Sequence, residues 1–426
     1  MFRRFGLIIL FLTAAFVSAD NENADGGFLG ITWSGLGSLE AGQLVKWHYR
    51  GGTQLDHTWL QQSKVRLVAH KEITPWLNVI LGFEGAQWFD TYDKFSNNPF
   101  EIPQNNYSFI IHQSEAVIHI EDLLKFHFGV FPYKYNPEAQ NLGEYLFRTG
   151  AYPGFIINEF DFAIARLTGF WIQNRLFDGK LTNDVIFNME TDFKPYRDIS
   201  ASYIGSYSPH PAITIGYGIN FTHLISVYES STTPKSAGTQ YIDSSSHDSV
   251  SLTFRGVKPM VRLTFDIKRF FDLPIFGPED LKFYGEMAIL GVKNYQLYYD
   301  TLTQRIPIMF GVNIPTFKGL DVVALQFEWY GSPYPNNYQN AFSIQPPPRP
   351  IPDGPQSGYS DYIYRNDNWK WSLYAKKTVA NSFSIIGQVA RDHFRTHVKY
   401  PYNVDREEGL SEGKHWYWML KVAYGF

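Results

Sequence analysis

Hydrophobic and polar residues alternate one by one in long stretches of this chain, most clearly over its last residues. Reading back by twos from residue 426 gives Phe426, Tyr424, Val422, Leu420, Trp418 and Trp416. The interleaved set is Gly425, Ala423, Lys421, Met419, Tyr417 and His415. Strand side chains point alternately to opposite faces, so 415–426 is predicted to be a strand with one apolar and one small or polar face. The same period recurs in Val261, Leu263, Phe265 and Ile267 against Arg262, Thr264, Asp266 and Lys268. It recurs again in Ile213, Ile215, Tyr217, Ile219 and Phe221, and in Val323, Leu325, Phe327 and Trp329. An arginine on a lipid face costs about 2–4 kcal/mol at mid-membrane, so Arg262 and Asp266 are expected to point into a wet interior. No helical period competes in these windows.

Applied along the chain, this pattern places strand starts near residues 42, 57, 76, 106, 124, 161, 181, 198, 211, 250, 281, 304, 320, 367, 382 and 415. Sixteen is an even number, as single-chain bacterial barrels require, and about fourteen to eighteen would satisfy the same pattern. Connections supply a second check. If both ends of the chain lie on one side of a membrane, long and short connections must alternate. The odd-numbered connections include 90–105, 134–160, 229–249, 332–366 and 395–413, and the even-numbered ones are mostly tight, as at 71–75, 121–123, 315–320 and 378–382. The turn at 270–280 is the longer exception and carries Pro274 and Pro278. The expected fold is all-β: a transmembrane antiparallel up-and-down β-barrel over 42–426, with short periplasmic turns and long extracellular loops. A short periplasmic segment, 20–41, is expected to precede it.

The N-terminus carries an address. Arg3 and Arg4 precede an apolar run from Phe5 to Phe16, and Val17, Ser18 and Ala19 put small residues before a cut. That order predicts a cleaved signal peptide over 1–19. The run is too short to span a bilayer, which needs about 20 residues. No other stretch approaches that length without charges, and only helices and closed barrels satisfy every backbone group in lipid.

Composition agrees and then narrows the options. Aromatic residues make up 17% of the chain and charged ones 18%, a balance suited to rings placed at a lipid–water boundary. The formal charge of −4 gives no basic excess for nucleic acid. With no cysteine, disulfides, thiol catalysis, cysteine-based metal sites and a lipid-anchored cysteine are all excluded. Residues 345–355 are proline-rich, and proline cannot donate to a sheet ladder, so they are expected in an exposed loop.

Candidate chemistry is sparse. His112 lies near Ser114 and His247 precedes Asp248, but neither sits in a motif that positions a nucleophile against a base. His119 and His127 could line the interior on neighbouring strands, without a spacing that specifies a metal. The expectation is therefore no enzyme, no metal and no cofactor. An interior wall of cations is the stronger pattern. If Val45, Trp47 and Tyr49 face lipid, then Lys46, His48 and Arg50 face inward, and Lys64 and Arg66 follow on the next strand. Lys370, Lys376 and Lys421 join them once the barrel closes, opposite the scattered Glu84, Glu190, Glu286 and Glu328. Such a field would favour anions mildly.

A terminal phenylalanine with apolar residues at alternate preceding positions, here Val422, Tyr424 and Phe426, resembles the signal read by the bacterial barrel-assembly machinery. In strand number, polarity and a long third outer connection, the chain also resembles general porins across roughly residues 40–426. That resemblance implies a Gram-negative outer-membrane location, a lipid surround and small hydrophilic solutes as permeants. Homotrimers are common among such proteins. It also implies that the third loop, with Lys134, Glu138, Glu144 and Arg148, folds inward to narrow the channel; a loop lying on the rim or joining a neighbouring subunit is the alternative. Two alternatives stand beside a passive channel: a saccharide channel stacking sugars on Tyr284, Tyr330, Tyr374 and Tyr417, and a structural or adhesive surface barrel.

Overall fold

A computed structural model describes residues 30–46, 48–49, 53–54, 57–89, 106–121, 123–148, 165–191, 197–225, 227, 240–242, 249–251, 255–271, 274–292, 302–329, 369–380, 382–393 and 413–426. Sixteen strands form one closed antiparallel barrel, each paired with its neighbours in sequence, the last closing on the first. They are β1 Thr32–Lys46, β2 Thr58–Thr74, β3 Leu77–Phe89, β4 Asn106–Ile120, β5 Leu124–Tyr133, β6 Ala165–Leu176, β7 Leu181–Met189 and β8 Ile199–His210. The second half is β9 Ile213–Ile225, β10 Gly256–Asp266, β11 Lys282–Ala288, β12 Ile308–Asn313, β13 Val322–Trp329, β14 Trp369–Val379, β15 Phe383–Arg391 and β16 Trp416–Gly425. Two short ribbons, 48–49 with 53–54 and 240–242 with 249–251, stand apart from the barrel sheet.

The alternation predicted from sequence sorts the wall as expected. Val261, Leu263 and Phe265 are exposed on the outside while Arg262, Thr264 and Asp266 are buried inside. An outer face of exposed Val, Leu, Ile, Phe and Trp on a wall with no free edge is the surface a bilayer requires.

One boundary departs from expectation. The barrel begins at Thr32, not near residue 42, so 32–41 belong to the wall and not to a separate periplasmic segment. The reason lies in the closing seam. Gly35 exchanges backbone hydrogen bonds with Phe426, N to O at 2.8 Å and O to N at 3.0 Å. The Phe426 ring fills the space beside Gly35, where a Cβ would stand 2.2 Å from it. Glycines at outward positions 35 and 37 therefore serve the closure, and they erase the hydrophobic alternation that would have announced the strand. The other fifteen strands begin within six residues of their expected starts.

A second pair of glycines sets local shape. Gly129 and Gly169 face each other across β5 and β6, at φ of 126° and 155°. A Cβ on either would meet the carbonyl oxygen of Ser114 at 2.1 Å or of Phe187 at 2.0 Å. Gly129→Ala is expected to lower the unfolding free energy by about 1–3 kcal/mol in urea titrations of the refolded barrel. Unchanged stability would show that the backbone there relaxes freely.

Candidate functional site: a loop packed into the lumen

After β5 the chain turns inward. Residues 135–146 are buried inside the barrel, except for an exposed Pro137 and a half-buried Gln140, so the third loop folds into the lumen and does not lie on the rim. Four wall strands hold it. Glu286 of β11 accepts hydrogen bonds from Tyr135 Oη (2.5 Å), Asn136 Nδ2 (2.7 Å), and the backbone N–H groups of Glu144 (3.1 Å) and Tyr145 (2.9 Å). Gln326 of β13 accepts from the N–H groups of Asn141 and Leu142, and Glu328 on the same strand accepts from Tyr145 Oη. Asn141 Nδ2 donates to Asp392 at 2.5 Å, just beyond β15. Lys258 of β10 donates to the carbonyl of Leu146 at 2.7 Å.

The loop also carries an apolar core into what would otherwise be a water-filled space. Tyr135, Leu142, Tyr145 and Leu146 pack with wall residues Phe131, Leu167, Ile186, Ile204, Met260 and Met309. A single helical turn, Tyr145–Arg148, ends this described segment. The loop thus fills the lumen beside β5 to β13, while the inner faces of β16 through β3 carry Lys421, Glu40, Lys64, Arg66 and Glu84 beside buried Leu44, Tyr417 and Met419.

Electrostatics at the loop follow from burial. Burial pushes the Glu138 carboxyl above its ordinary range, against the pull of the Lys282 ammonium 3.4 Å away. Asp392 is likewise pushed up by burial, opposed by hydrogen bonds from Tyr417 and Asn141. The Tyr135 phenol is driven well above its usual value by burial and by the neighbouring Glu286 and Glu144.

The residues expected in a basic wall divide into three groups. Lys64 and Arg66 point inward, and both meet Glu84, Arg66 at 2.5 Å and Lys64 at 3.8 Å. Lys421 also points inward, buried against Glu40 at 3.2 Å. Lys370 is buried on the same inner face of β14, and Lys376 sits half-buried nearer its far end. Lys46 does not join them. A β-bulge between Leu44 and Lys46 changes the register, and Lys46 pairs with Trp416 on the outward face. His48 belongs to the separate ribbon, and Arg50 lies outside the described residues. Among loop residues, Lys134 donates within the loop to the Ala139 carbonyl at 2.6 Å, and the Arg148 side chain is outside the description.

The tyrosines considered as sugar platforms are occupied. Tyr284 accepts from Gln326, Tyr417 donates to Asp392, and both are buried together with Tyr374; Tyr330 lies outside the described residues. His127 is committed to Glu115 at 3.0 Å and stacks on Trp171, while His119 meets Asn78. Among the described residues no cluster of three or more His, Asp or Glu side chains has metal-binding spacing.

No protein-family model matches the sequence, and no curated protein sequence does either. Solved structures do. OprB of Pseudomonas putida has a TM-score of 0.52 at 11% identity, over 93% of this chain and 94% of that one. Salmonella typhi OmpF, solved with daunomycin, has 0.47 at 9%, over 93% and 97%. The outer-membrane channel DcaP of Acinetobacter baumannii has 0.46 at 9%, over 93% and 97%. At such identities only the likeness of fold to OprB bears on this chain. The chain is a closed sixteen-stranded antiparallel β-barrel that shares its fold with OprB.

Proposed function

We propose that this protein is a passive diffusion channel for small hydrophilic solutes with a mild preference for anions, exported by a cleaved signal at 1–19 and inserted by the barrel-assembly machinery through Val422, Tyr424 and Phe426. One observation carries the channel reading: inside a closed sixteen-stranded barrel the loop at 135–146 folds into the lumen, and the inner faces of β16 to β3 carry Lys421, Glu40, Lys64, Arg66 and Glu84. A sixteen-stranded barrel is wide enough for an aqueous path, and an inward loop sets its bore. Burial of Tyr284, Tyr374 and Tyr417 weighs against a sugar-stacking channel built on those rings.

The anion preference rests on Lys64 and Arg66 together on the inner face of β2 beside Glu84, with Lys376 adding charge at the far end of the wall. Pairing of Lys421 with Glu40 keeps the preference small. Planar-bilayer recordings of the refolded protein should show stepwise conductance, with reversal potentials modestly favouring chloride. Arg66→Glu should reverse that sign, because it replaces one of the two cations at Glu84 by a second carboxylate. Absence of conductance from an intact barrel would defeat the channel reading, and a clear cation preference in the unaltered protein would defeat the selectivity.

Acid should strengthen the preference. Glu138 and Asp392, both raised by burial, take up protons at a higher pH than ordinary carboxylates, removing negative charge from the lumen. The folded state binds these protons more readily than the unfolded chain, so mild acid stabilises the loop as it shifts selectivity. Reversal potentials measured from neutral pH down to the ordinary carboxylate range should move further towards chloride.

A further inference from the structure

Arg262 on β10 is a buried cation without a counterion. It faces the lumen and is only 7% exposed, and among the described residues no carboxylate lies within ion-pair distance of it. Its side chain lies across β9, where Gly216 leaves the room: a Cβ there would stand 2.4 Å from both Cγ and Nε of the arginine. Beyond Gly216, Arg262 Nη2 donates to Ser206 Oγ on β8 at 3.1 Å, while Nε has no acceptor. An arginine keeps its charge inside a protein, and a buried charge without a partner is unfavourable. The acids nearby are committed elsewhere. Glu286, opposite Arg262 on β11, accepts four hydrogen bonds from the loop. Asp184 accepts from Tyr133 Oη at 2.7 Å, Trp171 Nε1 at 2.9 Å and Gln173 Nε2 at 3.3 Å, and Glu138 pairs with Lys282.

Donors surround the arginine on its other side. Arg175, Thr182, Ser206, Gly216 and Arg262 pair in turn across β6 to β10, so they form one cross-strand row on the inner face. Neighbours in such a row stand about 5 Å apart. Arg175 closes the far end, exposed and without an ion pair among the described residues. The row thus holds two guanidinium groups with two hydroxyls between them and no carboxylate. A carboxylate ligand is met best by two parallel N–H donors of one guanidinium. Here Nε of Arg262 packs against Gly216 and Nη2 is taken by Ser206, so that edge is closed. Donors spread over two guanidinium groups and two hydroxyls suit a phosphate, whose acceptor oxygens point in several directions.

We propose that the row from Arg175 to Arg262 binds a phosphate group in the lumen, free or as the monoester of a small solute. The inference rests on the lumen being a solute path and adds a ligand class to it. Isothermal titration of the full-length refolded barrel in detergent measures binding without conduction. The probes are inorganic phosphate, glycerol phosphate and acetate at matched ionic strength. The expected result is saturable binding of both phosphates, the tighter one naming the source, and much weaker binding of acetate. Arg262→Gln should weaken phosphate binding about tenfold and Ser206→Ala about threefold, in barrels that keep their strand content. Should Arg262→Gln fail to fold, Ser206→Ala and Arg175→Gln carry the test, each weakening phosphate binding. Acetate bound as tightly as phosphate, or folded variants that bind phosphate like the original, would overturn the proposal. Chloride conductance of the same preparations in planar bilayers separates the two readings. Normal conductance without phosphate binding defeats only this one, and phosphate binding without conductance defeats only the channel.

Discussion

Glu286→Ala should give a channel with larger and noisier single-channel conductance, in a barrel that remains folded. The loop it releases is held by two kinds of force, and their sizes decide the outcome. Fixing the backbone of residues 135–146 costs on the order of 1–2 kcal/mol per residue. Burial of Tyr135, Leu142, Tyr145 and Leu146 returns about 1.5–3 kcal/mol each, an upper bound because the unfolded loop would still touch the wall. Apolar packing alone therefore does not hold the loop, and hydrogen bonds to the wall settle the balance. Four of them converge on the one carboxylate of Glu286. Removing it takes this acceptor from buried donors at Tyr135, Asn136, Glu144 and Tyr145, at about 3–5 kcal/mol for breaking a buried charged network. Trypsin should then cut near Lys134 or Arg148 in the altered protein and not in the original. Glu286→Gln keeps one acceptor oxygen and should fall between the two. Unchanged conductance together with unchanged protease resistance would show that Gln326, Glu328 and Lys258 suffice.

How much of this was legible beforehand depends on the kind of signal involved. The wall was legible because a period of two, repeated over fifteen strands, survives local exceptions. β1 was misplaced because Gly35 and Gly37 stand where apolar residues would, making room for a ring that comes from the other end of the chain. Lys46 was assigned to the wrong face because one bulge inverts every position beyond it, and nothing in the local sequence marks the bulge. Glu84 and Glu286 were read as scattered acids. Their partners come from 18 residues away in one case and from about 140–150 in the other, and such pairings are set by register and loop path. The inward course of the third loop was left open by sequence for the same reason: Asn141 finds Asp392 across 251 residues.

Asp280→Ala should produce the second large effect, on stability and not on conduction. Asp280 sits in the long turn between β10 and β11, the one even-numbered connection that sequence marked as unusual. Its carboxylate accepts from the N–H of Gly277 at 2.8 Å, the N–H and hydroxyl of Thr316 at 3.0 Å each, and the N–H of Phe317 at 3.1 Å. Its backbone carbonyl accepts from Lys268 at 3.1 Å. One side chain thus ties the 267–281 turn to the turn after β12, across the base of two adjacent hairpins. Phe317 and Lys318 are held there at positive φ, which costs about 1–3 kcal/mol each unless their surroundings impose it. Removing the carboxylate strands three backbone donors, a cost that relaxation of the strained residues only partly offsets, so a loss of about 2–4 kcal/mol is expected. Burial would raise the Asp280 carboxyl, but the hydrogen bonds from Gly277, Thr316 and Phe317 outweigh it and hold the group below its ordinary value. A depressed folded value means that the stabilisation is present above the unfolded carboxylate range, near pH 4, and is lost as pH falls through the folded value. Urea midpoints of the refolded barrel should therefore separate the original from Asp280→Ala at neutral pH and converge in strong acid. A gap that persists undiminished in strong acid would place the effect in side-chain packing and not in the carboxylate's hydrogen bonds.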